Sequence, residues 1–136
     1  IRDWSSDVCS SDLARDWELA ERDYDRIRAS TTDVDTIAAR SGLDPDDVRE
    51  VKAHLFEREH LLDSYVDHGI EPEWARFDAH PEIAAAWRRL EAGEATASDL
   101  QLFRHELAEA TYMRENGPSY RAAHAYAQRV APSPLQ

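Results

Sequence analysis

Three of the four glycines, Gly42, Gly93 and Gly117, stand directly after stretches whose apolar residues recur every three or four positions. A residue in the left-handed region is what the end of a helix wants, and glycine adopts it without steric cost. Matching starts are written into the chain as well. Asp44-Pro45-Asp46-Asp47 offers an N-cap, a proline in the first turn and acids near the positive helix end. Asp78 with Pro81 offers a second start, Thr96-Ala97-Ser98-Asp99 resembles a capping box, and Pro118-Ser119 opens the last segment. The β-branched residues are scattered and never form alternating runs. Starts and stops this closely spaced leave room for helices and little else. The expected fold is therefore all-α: one compact bundle of five or six helices.

The periodicity predicts helices over Ala14–Ala29 (Trp17, Ala20, Tyr24, Ile27 inward), Asp33–Arg40, and Asp44 to about Glu59 with Val48, Val51, His54 and Leu55 inward. A helical continuation is expected through Leu61, Leu62 and Tyr65, before a loop at Gly69-Ile70-Glu71-Pro72. Further helices are predicted over Pro81–Ala92, from Thr96 to Asn116, and from Pro118 to Val130; Trp87, Phe103 and Leu107 belong to the core. Thr36 to Asp44, followed by Val48 and Val51, looks like a helix-turn-helix. Its second helix would present Asp44, Asp46, Asp47 and Glu50 to a DNA groove, with only Arg49 and Lys52 against them. It is expected to be a packing unit and not a DNA reader.

Residues 3–13, Asp-Trp-Ser-Ser-Asp-Val-Cys-Ser-Ser-Asp-Leu, look like one reading frame of a sequencing-library adapter. Residues 1–13 are accordingly set apart from fold reasoning, 14–131 are taken as a single helical domain, and 132–136 as a tail. The native N-terminus is then expected to be missing. At 136 residues the chain can bury a core without disulfides, and its single Cys9 could form none internally. The formal charge of −12 repels phosphate backbones, which argues against a general nucleic-acid surface. No apolar stretch approaches a membrane span, so a soluble chain with no membrane partner is expected.

Chemistry concentrates in Arg104-His105-Glu106-Leu107-Ala108-Glu109. Residues four apart share a helix face, so His105 and Glu109 can address one object, with Glu106 at the edge. The pattern is the zinc-protease motif H-E-x-x-H with Glu as the second ligand. Of six histidines, His54, His105 and His124 lie on or beside apolar stripes, whereas His60, His68 and His80 fall in polar contexts and are expected to be exposed. Three arrangements follow. In one, His105, Glu109 and His124 bind zinc or manganese, Glu106 is the general base, and His54 is a catalytic group or a further ligand. In another, a histidine pair works without metal beside Arg76 or Arg104. In the third, the buried His and Glu form a hydrogen-bonded packing network with no catalysis.

The succession Val51 to Phe56, Arg76-Phe77-Asp78, Ile83 to Leu90 with Gly93, Asp99-Leu100, His105-Glu106 with Glu109, and Tyr120 with Ala123-His124 resembles a helical domain. That domain is found at the C-terminal ends of polymorphic bacterial toxins and some phage-related proteins, and the resemblance covers about residues 34–127. It implies an effector module delivered or secreted as part of a longer bacterial protein, with a cognate immunity protein as partner. It implies as well that His54, His105, Glu106, Glu109 and His124 belong to one site. It implies no particular reaction.

Overall fold

The computed structural model describes residues 7–135, with side chains from Ala14 onward. Six α-helices carry the fold: α1 (Asp7–Ala29), α2 (Asp33–Ser41), α3 (Pro45–Lys52), α4 (Pro81–Ala92), α5 (Ala97–Asn116) and α6 (Tyr120–Val130). The fold is all-α with one small addition, an antiparallel pair of strands, β1 (His60–Leu62) and β2 (Glu73–Ala75). No helix among the described residues is long and apolar enough to cross a membrane. α1 begins at Asp7, not at Ala14; of the segment set apart on its sequence, residues 1–6 lie outside the described residues.

The helix ends follow local chemistry. Gly42 and Gly93 close α2 and α4 with φ near +77° and +75°, where any side chain would strain the backbone. Asp44 caps α3 by accepting from the Asp46 and Asp47 amides, and Thr96 and Asp99 form a complete capping box on α5. At α4 the cap differs from expectation. His80, not Asp78, is the N-cap, its Nδ1 accepting from the Glu82 amide at 3.1 Å.

Two further departures bear on the site. The helix expected to run from Asp44 to about Glu59 stops as α3 at Lys52 and continues as a π-helical turn over Ala53–Glu57. The wider turn, closed by the Arg58 amide on the Ala53 carbonyl at 2.8 Å, turns three consecutive residues inward: His54, Leu55 and Phe56. Residues 60–65 are not helical. His60–Leu62 instead pair with Glu73–Ala75 in the register His60↔Ala75, Leu61↔Trp74, Leu62↔Glu73.

The core joins α1, α3, α4 and the π-turn. Phe56 meets Tyr24 and Trp87 edge to face, with ring centroids 4.7 and 5.1 Å apart, and Ile27, Ile37, Val48, Val51 and Leu90 fill the space around them. Phe103 joins this core, whereas Leu107 lies half-buried against it. The α2–α3 pair is fastened by a buried ion pair: Lys52 Nζ donates to Asp33 Oδ1 at 2.8 Å and to the Ser30 carbonyl at 2.9 Å. The other Asp33 oxygen accepts from the Trp87 indole at 3.2 Å.

α6 lies against α5 and is tied at both ends. At its start Ser119 caps the helix and donates to Asp63 at 2.6 Å, while the other Asp63 oxygen accepts from the Arg121 amide at 2.8 Å. A carboxylate is favourable there because it faces the positive end of the helix dipole. The Leu61 amide donates to the Pro118 carbonyl at 3.1 Å, joining β1 to the same junction. At the far end Gln101 donates to the Pro132 carbonyl at 2.9 Å.

Candidate metal centre

Glu109 sits in the fourth turn of α5 on the face covered by α6, and its side chain is 1% exposed. A carboxylate there needs donors on both oxygens, and it has them. Oε2 faces His105 Nε2 at 2.9 Å and His124 Nδ1 at 2.7 Å; Oε1 faces His54 Nε2 at 3.0 Å. The three imidazoles come from α5 itself, from α6 and from the π-turn. Glu106 Oε1 stands 3.6 Å from His54 Nε2, beyond hydrogen-bond range. The structure thus brings together all five residues singled out on sequence, in two groups sharing Glu109: His105, Glu109 and His124, and His54, Glu106 and Glu109. Glu106 therefore neighbours His54 and not the His105–His124 pair.

The electrostatics follow from these contacts. Burial opposes the charge on Glu109, but hydrogen bonds from His105, His124 and His54 outweigh it and hold the carboxyl far below its usual range. Burial also opposes charging His54; the two neighbouring carboxylates win, and its pKa is pushed up to about 9. His105 is raised in the same sense, burial again opposing and Glu109 prevailing. Glu106 goes the other way: burial lifts its pKa, His54 opposes, and the charge on Glu109 adds to the lift.

His105 has an acceptor on each side. Its Nδ1 donates to the Ala131 carbonyl at 2.9 Å and its Nε2 faces the Glu109 carboxylate. Without a metal both nitrogens donate, which is an imidazolium. A metal here would take the place of the Nε2 proton, and the Nδ1–H to carbonyl bond would be the kind of support that orients a ligating histidine. His54 is less well provided. Its Nδ1 is the one buried side-chain nitrogen or oxygen among the described residues without a hydrogen-bond partner.

Around the centre runs a layer of rings. Phe77 stacks on His60 at 4.5 Å and meets Tyr120 at 5.0 Å, and the Tyr120 hydroxyl stands 3.4 Å from His124 Nδ1. His124 remains 39% exposed, so the centre has a side open to solvent. His60, expected on sequence to be an exposed bystander, is buried; its Nε2 donates to the His54 carbonyl at 2.8 Å and fixes the backbone that carries His54. Burial lowers its pKa, the bond to His54 opposing. No sequence signal marked it, because Glu59 and Arg58 precede it and its cover, Phe77, is seventeen residues on. Neither arginine considered for a metal-free reaction is drawn in: Arg104 is exposed and donates to Gln101, and Arg76 is exposed beside Phe77. His68 is exposed as expected, and His80 is half-buried in its capping role.

No protein-family model matches this chain, and neither does a curated protein or a solved structure.

Proposed function

We propose that this chain is an effector-type domain whose His/Glu centre binds a divalent ion, zinc or manganese, and uses it for hydrolysis. His105, Glu109 and His124 are the ligands, two imidazoles and one carboxylate, a set that suits zinc and leaves a position open for water. The observation that carries this is Glu109, 1% exposed and met by three imidazoles from three separate elements. An ion at that point would polarise a water or a substrate oxygen. Glu106 is the general base: burial holds its pKa above the usual carboxylate range, where a base is more effective near neutrality. His54, whose Nε2 stands 3.6 Å away, positions that carboxylate. The effector assignment, with an immunity protein as partner, rests on the residue pattern over 34–127.

One observation favours a second reading. The contacts of 2.7–3.0 Å are hydrogen-bond lengths, whereas ligand atoms around a tetrahedral zinc stand about 3.4 Å apart, given bonds of about 2.0–2.1 Å. In that reading the cluster is a packing network and no ion enters.

Dialysis of the chain against zinc or manganese, beside the His105→Ala, Glu109→Ala double variant, separates the two. Stoichiometric binding lost in the variant supports the metal centre; no binding up to millimolar metal sinks it. Glu106→Gln then tests the base. Loss of activity with little loss of stability supports it, and destabilisation in place of lost activity supports the network.

A further inference from the structure

The metal reading takes its ligands from one of the two donor groups and leaves the other without an ion. His54 and Glu106 are both buried, and the Glu106 carboxylate has no closer cation than His54 at 3.6 Å. A carboxylate buried beside another with so incomplete a partner either takes up a proton or needs a cation to join it. The donor atoms of His54, Glu106 and Glu109 lie within 4.8 Å of one another. Glu109 serves the two groups with different oxygens, Oε1 toward His54 and Oε2 toward His105 and His124. A carboxylate that gives one oxygen to each side is the bridge used by paired ions about 3.5–4 Å apart.

We infer that the centre takes two divalent ions, the second held by His54, Glu106 and the Oε1 oxygen of Glu109, with Glu109 bridging the pair. The inference rests on the metal reading above. One imidazole with two carboxylates is a harder donor set than two imidazoles with one, so the second position favours manganese or magnesium where the first favours zinc. Whichever position fills first, the other binds more weakly, because the first ion has already claimed much of the charge of Glu109. On loading, Glu106 passes from proton acceptor to ligand. His54 borders a cavity of about 370 Å³ that it shares with Arg58, His60, Met113 and Arg114, and neither Glu106 nor Glu109 lines it.

The test is manganese binding to the full chain by equilibrium dialysis, with Glu109→Gln as the blank for surface carboxylates, followed by electron paramagnetic resonance. Two equivalents are expected, the second weaker, with an exchange-coupled spectrum appearing as the second fills. Glu106→Gln, which removes a charge and keeps the shape, should lose the second equivalent and the coupling and keep the first. One equivalent with an uncoupled spectrum overturns the second position and leaves the metal reading standing. Two uncoupled equivalents, or a second equivalent that survives Glu106→Gln, place the extra ion elsewhere and overturn the inference. No binding overturns both.

Discussion

Glu109 gathers three imidazoles on one buried carboxylate. Three N–H donors converge on it, and a glutamine there would offer its own N–H to at least one of them. Glu109→Gln should cost about 3 kcal/mol, as broken buried ion pairs do, read as a shift of the urea midpoint with the helical signal retained. The protonation of His54 gives a second expectation. Its pKa rises from 6.5 unfolded to about 9 folded, so the folded state binds that proton more tightly. Its contribution is then complete below about pH 6.5 and lost as the pH rises through about 9. The metal-free chain should lose stability over that window, and His54→Gln should flatten the slope in urea titrations across pH. Part of this was legible in the sequence: His105 and Glu109 are four apart on one helix, and helical geometry alone joins them. His54 and His124 reach the same carboxylate only through the packing of the π-turn and α6, which no local pattern encodes.

Among the elements, the α2–α3 pair is held together by a buried ion pair. Lys52, one of the two cations weighed there as a DNA contact, is instead buried against Asp33. Lys52→Ala should destabilise the fold by about 3–5 kcal/mol, since it strands a buried carboxylate. Arg49→Ala, which breaks only an exposed pair with Asp46, should change stability by less than about 1 kcal/mol; thermal melts of both variants compare them directly. The α3 and α5 caps and the glycine stops were readable because each is settled within a few residues, as Thr96 with Asp99 shows, whereas at α4 His80 took the place expected of Asp78. The β1–β2 pair was not. Its strands are three residues each, too short for alternation to register, and β1 is steadied by the Pro118 carbonyl from far along the chain. The π-turn left no mark either, since Ala53 to Glu57 reads as ordinary helix by spacing.

At the scale of the whole molecule, a bound ion should report itself as stability. At a hundredfold excess over its dissociation constant a ligand of the folded state adds about 2.7 kcal/mol. For a domain of this size that is a rise in Tm of roughly 10 °C, reversed by chelator. The charge of −12 gathers cations around the chain, so the apparent metal affinity should fall as monovalent salt is raised. The tethering of α6 has a consequence in time. His124 and the Ala131 carbonyl complete a centre whose other members were laid down from residue 54 onward. A chain still being synthesised, or cut before Tyr120, holds His54, His105, Glu106 and Glu109 but cannot close the arrangement around them. The arrangement around Glu109 is therefore complete only once α6 has docked.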